Sequence, residues 1–280
     1  MADAFGGKVA VITGAGSGIG RALSLALARS GARVAISDVD AAGLVDTEKQ
    51  LRGFGADIRS DRLDVTDQQA FMEYAGLVRD HFGAVNQVYN NAGIAFAGGV
   101  ENSEVADIER VMNVNFWGVV HGTKAFLPHL IESGDGHVVN ISSLFGLLAA
   151  PGQVGYVAAK FAVRGFTEAL RQEMMIAGHP VKVTAVHPGG VRTSLAQNAT
   201  GFAGFDKAAS IEIFNKSSIT SPEKAARTIL RGVRRNKARV LVGPDAMAVD
   251  ALVRLTGPGY QNLLTRYQVW SAGRRALSKV

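Results

Sequence analysis

The chain has 280 residues, enough for one large α/β domain or two small ones, and its 47% apolar and 19% charged composition excludes a disordered polypeptide. It has no cysteine, which excludes a disulfide scaffold and thiol chemistry and fits a reducing, cytoplasmic setting. The net charge of +6 is uneven: residues 223–280 hold 12 Lys/Arg against 3 Asp/Glu, whereas residues 1–222 hold 18 against 21. The opening MADAFGGKVAVITGAG has an acid early and Lys8 inside its apolar run, so it does not read as a signal peptide. Even the uncharged stretch from Val138 to Ala159 is broken by Asn140, Pro151, Gly152 and Gly155, so no spanning helix is expected.

In chain order, short β-branched runs alternate with longer segments of helical periodicity. The runs at 8–13, 32–37, 57–65, 84–90, 137–142, 181–186 and 238–242 read as seven strands. Between them, Arg21 to Ser30, Asp67 to Phe82, Glu104 to Leu130, Ala158 to Ala177 and Pro222 to Arg235 read as helices. This alternation predicts an α/β, doubly wound domain: a seven-stranded parallel sheet with right-handed crossovers and helices on both faces. We place that domain at residues 1–245, followed by a basic amphipathic extension at 246–280; neither a linker nor a repeat divides the first part. In such a sheet, ligands collect beyond the carboxyl ends of the strands, where strand order reverses.

After the first strand comes TGAGSGIGR, residues 13–21, with glycines at Gly14, Gly18 and Gly20 in a GxxxGxG pattern. Glycines there permit a tight turn and close approach of a pyrophosphate, and the following helix offers unpaired N–H groups and its positive dipole end. This is the turn of a Rossmann-type fold. The second strand ends in ISDVD, with Asp38 eighteen residues beyond Gly20. A carboxylate at that place accepts both hydroxyls of an adenosine ribose and repels a 2′-phosphate, which favours NAD over NADP. Its plain alternative is to cap the next helix, a task open to Asp40 as well.

Further on, GYVAAKFAVRGF (155–166) sets Tyr156 and Lys160 four positions apart in an apolar helical segment, so the two side chains share a face. Together with TGAGSGIG, NNAG (90–93), NVNFWG (113–118), NISS (140–143) and HPGGVRT (187–193), the YVAAK motif resembles the short-chain dehydrogenase/reductase family over residues 7–195. The resemblance implies an NAD(H)-dependent oxidoreductase acting on CH–OH groups, in which hydride passes between the nicotinamide and a carbinol carbon. It implies that Tyr156 is the acid/base and that Lys160 holds the nicotinamide ribose and tunes the tyrosine. Asn115 would anchor a proton-relay water, and Ser143, rather than Ser142, would hydrogen-bond the developing oxyanion because it lies thirteen residues before the tyrosine. On the cofactor side it assigns Gly14, Ser17, Gly18, Ile19 and Gly20 to the pyrophosphate turn, Asp64 and Val65 to the adenine, Asn91, Ala92 and Gly93 to the adenosine side and central strand, and Gly189, Val191 and Thr193 to the carboxamide and phosphates. NADP-preferring members often have a basic residue where this chain has Ser17 or Val39, so the resemblance also points to NAD. It further implies a homodimer or homotetramer.

The acid/base role has its own physical test. A free phenol titrates near pH 10 and is a poor base at neutrality. An ammonium ~4–5 Å away supplies roughly 3–4 kcal/mol of preference for phenolate at an effective dielectric near 20. Lys160 is therefore expected to pull Tyr156 toward neutrality, helped by an apolar wall.

The resemblance places a substrate lid at about 194–220. Phe202, Phe205, Ile211, Ile213 and Phe214 within it, and Leu144, Phe145, Leu147 and Leu148 after Ser143, suit an apolar pocket for a lipophilic secondary alcohol or ketone; they equally suit plain packing. His187 reads as a loop hydrogen-bonder, and no cluster has metal spacing. At the end of the chain, Tyr260, Leu263, Leu264, Tyr267 and Trp270 recur at helical spacing beside Arg266, Arg274, Arg275 and Lys279. That helix packs on a subunit or domain edge, or lies on an anionic membrane as part of a peripheral oxidoreductase of a lipid-like substrate. No nucleic-acid recognition motif accompanies the charge. A cofactor-binding sensor or scaffold without turnover is the reading from outside enzymology, and the intact Asn-Ser-Tyr-Lys set argues against it.

Overall fold

A computed structural model describes residues 4–203 and 206–266. All seven expected strands form: β1 (Val9–Thr13), β2 (Arg33–Asp38), β3 (Ile58–Arg62), β4 (Gln87–Asn90), β6 (Gly136–Ile141), β7 (Val181–Pro188) and β9 (Arg239–Val242). They make one parallel sheet in the order β3-β2-β1-β4-β6-β7-β9. Strand order reverses between β1 and β4, so the crevice lies where Thr13 and Asn90 end their strands.

The strands are apolar on both faces because helices cover both. Ala10, Ile12, Val34, Ile36, Tyr89 and Val139 pack with α1 (Gly18–Arg29), α2 (Ala41–Arg52) and α8 (Pro222–Arg234). Their alternating neighbours Val9, Val11, Ala35, Val88 and Val138 pack with α3 (Gln68–Phe82), α5 (Gly118–Glu132) and α6 (Val154–Ile176). Helix starts follow local chemistry. The side chains of Asp40, Asp67 and Ser221 accept hydrogen bonds from the backbone N–H groups of Gly43, Ala70 and Lys224, capping α2, α3 and α8.

The expected helix from Glu104 to Leu130 is interrupted. α4 (Val105–Met112) passes into a π-helical turn, Asn113–Trp117, before α5. Asn115 is fully buried there, and its amide is tied to the backbone of Ile94, which widens the helix at that turn. Periodicity alone does not register one extra residue in a turn.

A second, two-stranded parallel sheet pairs β5 (Phe96–Gly98) with β8 (Thr200–Ala203), joining the segment after β4 to the expected lid. The segment expected to form the lid continues through α7 (Lys207–Ser217). α9 (Pro244–Thr256) follows β9 and is held by Arg239, which pairs with Asp250 of α9 at 3.1 Å and Glu168 of α6 at 2.5 Å. Tyr260 is buried, and its hydroxyl accepts a hydrogen bond from the Ala149 N–H at 3.1 Å, bringing this part of the C-terminal region over the loop after β6. Phe205, Tyr267, Trp270, Arg274, Arg275 and Lys279 lie outside the described residues. Among the described residues, no helix is long and apolar enough to cross a membrane.

Candidate active site

The glycine turn is shaped by what each added methyl would hit. Gly14 (φ 65°) and Gly18 (φ 52°) occupy the left-handed region. A Cβ on Gly20 would stand 2.0 Å from the Gly14 carbonyl oxygen and 2.6 Å from Asn91 Nδ2. Asn91 donates from that amide to the carbonyls of Thr13 (2.9 Å) and Gly14 (3.1 Å). Thr13 Oγ1 in turn accepts from the N–H groups of Asn91 and Ala92, both at 3.1 Å. The end of β4 therefore clamps the turn after β1. Ser17 stands at the N-cap of α1 without a capping side-chain bond, and no acidic residue occupies the first turn. The leading N–H groups, including that of Ile19, thus have no side-chain cap at the end of the helix where the dipole is positive.

At the end of β2, Asp38 Oδ2 accepts from the Gly16 N–H at 2.7 Å and Oδ1 from the Asp40 N–H at 2.9 Å. Capping α2 falls to Asp40, so the plain alternative for Asp38 is taken by its neighbour. The Arg21 guanidinium braces the back of this turn through the carbonyls of Gly16 and Gly43 and the Thr47 hydroxyl. Val65 is buried against Gly118, whereas Asp64 is exposed, and its Oδ1 accepts from both the N–H and the hydroxyl of Thr66. On the far side, Thr193 reaches the turn: a Cβ on Gly18 would lie 2.9 Å from its methyl. Val191 is buried and bridges to Thr220.

Tyr156, Lys160, Ser143 and Asn115 are all buried and converge beyond the tips of β4 and β6. Lys160 Nζ lies 5.6 Å from the Tyr156 ring centroid and donates to the Ile141 carbonyl at 3.1 Å. Gly93 fits between the groups: a Cβ there would be 3.0 Å from Asn115 Oδ1 and 3.6 Å from Lys160 Nζ. Ser142 faces away and donates to the Lys160 carbonyl at 2.8 Å, whereas Ser143 Oγ accepts from the Phe145 N–H. Phe145 meets Tyr156 edge to face, with centroids 6.2 Å apart, and Phe96 and Val111 complete an apolar wall.

The electrostatics differ from the expectation. Burial raises the Tyr156 pKa, and the Ser143 hydroxyl hydrogen-bonded to the phenol works against that rise. Burial also brings Lys160 down to about 8. A dry wall penalises phenolate and ammonium alike, and one of the three N–H groups of the Lys160 ammonium is taken by the Ile141 carbonyl. On this phenol, burial outweighs the polar groups around it. Asn115 is held on both sides, Oδ1 accepting from Ile94 N–H at 2.8 Å and Nδ2 donating to Ile94 O at 2.9 Å, which leaves one N–H and one lone pair of the amide outside that pairing.

Sequence reasoning missed several supporting residues. Asn90 donates to Asn140 (2.8 Å) and Thr123 (3.1 Å), and Asn140 donates to Thr167 (3.0 Å), a buried polar chain linking β4, β6, α5 and α6 beneath the site. The visible signal is an asparagine near the end of each of two strands. His187 lies in β7 rather than in a loop, and its Nδ1 bonds the Ser143 carbonyl at 2.9 Å. Burial lowers its pKa to about 4, so the ring is neutral at pH 7 and Nδ1 donates. Among the described residues no group of side chains is arranged to hold a metal ion.

This topology, with α1 starting without a side-chain cap and buried titratable side chains near the switch-point crevice, is that of a Rossmann-type α/β protein. Residues 8–202 match the family model described as short chain dehydrogenase, and the chain belongs to that family of oxidoreductases. It is 60% identical over 263 residues to the putative oxidoreductase SadH of Mycobacterium tuberculosis, covering 94% of this chain and 95% of that one. It is 34% identical over 235 residues to a cyclohexanol dehydrogenase of Acinetobacter sp., covering 82% and 88%. A short-chain dehydrogenase/reductase from Burkholderia phymatum, solved in complex with NAD, superposes with a TM-score of 0.85 at 31% identity, covering 92% and 96%.

Proposed function

We propose that this oxidoreductase interconverts a lipophilic secondary alcohol and its ketone with NAD(H). The observation that carries the reading is the convergence of Ser143, Tyr156 and Lys160 beyond the tips of β4 and β6: the Ser143 hydroxyl meets the phenol, Lys160 Nζ lies 5.6 Å from the Tyr156 ring centroid, and Gly93 leaves the space beside that ammonium open. The bound cofactor supplies or accepts hydride. Tyr156 exchanges the hydroxyl proton, and Ser143 steadies the oxygen on which charge develops. Lys160 holds the nicotinamide ribose and lends positive charge near the phenol. Asp38 receives the adenosine ribose, and its carboxylate beside Gly16 is what favours NAD over NADP. Gly14, Ser17, Gly18, Ile19 and Gly20 take the pyrophosphate, Asp64 and Val65 the adenine, and Gly189, Val191 and Thr193 the carboxamide and phosphates. The apolar wall of Phe96, Val111 and Phe145 around Tyr156 suits a lipophilic substrate, and the name of the cyclohexanol dehydrogenase relative agrees with a ring alcohol. The same reading makes the protein a cytoplasmic homodimer or homotetramer.

The test follows absorbance of the reduced nicotinamide with NAD or NADP against secondary alcohols graded by size. Turnover with NAD exceeds that with NADP, and Tyr156→Phe lowers kcat by about 10²–10⁴-fold with cofactor affinity kept. A preference for NADP overturns the role of Asp38, and a Tyr156→Phe variant with the wild-type rate overturns the acid/base assignment.

A second reading, a peripheral membrane enzyme of a lipid-like substrate, is favoured by α8. Lys224, Arg227, Arg231 and Arg234 stand exposed along one side of it, and the three arginines border a groove shared with Arg21 and Arg29 of α1 and with Glu223, which interacts with Arg227.

A further inference from the structure

Asp245, in the first turn of α9, is not among the residues that the family motifs mark. We infer that it is the positioning residue for the 189–191 turn, an inference that rests on the dinucleotide reading above. Its Oδ2 accepts from the Gly190 N–H at 2.5 Å. The same turn is held by backbone bonds from Gly189 N–H to the Val242 carbonyl (2.9 Å), from Thr220 N–H to the Gly190 carbonyl (3.2 Å) and from Arg192 N–H to the Thr220 carbonyl (2.9 Å). Asp245 makes the one side-chain bond of this set.

The carboxylate is fitted into space that two glycines leave for it. A Cβ on Gly189 would lie 2.1 and 2.2 Å from its two oxygens, and one on Gly243, whose φ is 98°, would lie 2.4 Å from Oδ1. Oδ1 is buried without a hydrogen-bond partner among the described residues. Burying part of a carboxylate in this way costs stability, offset in part by the dipole of α9 and by the charged bond to Gly190. A residue there for packing alone has no need of the charge.

The consequence is directional. Asp38, Gly16 and Arg21 organise the adenosine end through α1 and α2, whereas Asp245 acts through α9 on the opposite end. The two ends of a dinucleotide are thus held by separate elements. Loss of Asp245 weakens recognition of the nicotinamide half and leaves the adenosine half alone.

Calorimetric titration of wild type, Asp245→Ala and Asp245→Asn with NAD and with 5′-AMP, which carries the adenosine end and lacks the diphosphate bridge and the nicotinamide half, tests this. The alanine variant binds NAD about tenfold or more weakly, as loss of a charged hydrogen bond implies, with 5′-AMP affinity within twofold of wild type. The asparagine variant keeps an oxygen for Gly190 and loses about threefold or more toward NAD, and it decides the matter if the alanine variant does not fold. Equal losses for both ligands, or no loss for either, overturn the inference. Wild-type protein that binds neither ligand overturns the dinucleotide reading instead.

Discussion

At the scale of single residues, the site is governed by what burial does to ionisable groups. Lys160 is sealed in with one hydrogen bond, and its pKa falls from 10.5 to about 8. Below pH 8 the folded and unfolded chains both carry the ammonium, and the folded state bears the full desolvation penalty. Between about 8 and 10.5 the unfolded chain binds the extra proton, so the stability of the wild type rises with pH across that window. Lys160→Met removes the penalty, on the order of 3 kcal/mol, at the expense of the Ile141 bond. In urea unfolding of the cofactor-free protein the variant is at least as stable as wild type at pH 7, and its advantage shrinks between pH 8 and 10.5. A stability difference that stays constant with pH refutes the burial argument. A buried ammonium is thus kept against a stability cost, the pattern expected of groups at functional sites, and under the proposed mechanism it is the cation beside Tyr156.

At the scale of elements, the glycine turn and the π-helical turn do the positioning. Gly20→Ala drives a methyl into the fixed Gly14 carbonyl, whereas Gly76→Ala in α3 meets nothing within 4 Å. The first therefore costs roughly 3 kcal/mol or more and abolishes dinucleotide binding, and the second stabilises by about 0.5–1 kcal/mol. Urea denaturation with cofactor titration checks both; a Gly20→Ala protein that binds like wild type removes the clamp from the account. The interruption at 113–117 shows the opposite relation between pattern and form. The apolar spacing of Glu104 to Leu130 is that of one helix, yet the pairing of Asn115 with Ile94 imposes the wider turn.

At the scale of the molecule, the surplus charge has a place. Like charges at i, i+3 and i, i+4 along α8 repel one another by a few tenths of a kcal/mol per pair, so the stripe is mildly unfavourable for the helix that carries it. The membrane reading predicts that full-length protein cosediments with anionic vesicles at low salt and not with zwitterionic ones. It also predicts that Arg231→Glu with Arg234→Glu lowers the bound fraction about tenfold or more, at roughly 1 kcal/mol per basic residue near the surface. Equal binding to both vesicle types, or to neither, removes that reading and leaves the charge to a solvated face.

Sequence by itself determined the seven strands, the doubly wound layering and the residues that gather at the crevice, because each has a local signature: β-branched runs, glycines that only a tight turn demands, and two reactive side chains one helical turn apart. It also separated the tasks of Asp38 and Asp40 as alternatives, which the hydrogen bonds of Gly16 and Gly43 then distributed. Tertiary structure alone decided the pairing of β5 with β8, the buried chain from Asn90 to Thr167, the reach of Asp245 to Gly190 and the effect of burial on Tyr156 and Lys160. Each depends on groups distant in the chain, and hydrogen bonds and desolvation respond to distances in space that no local spacing encodes.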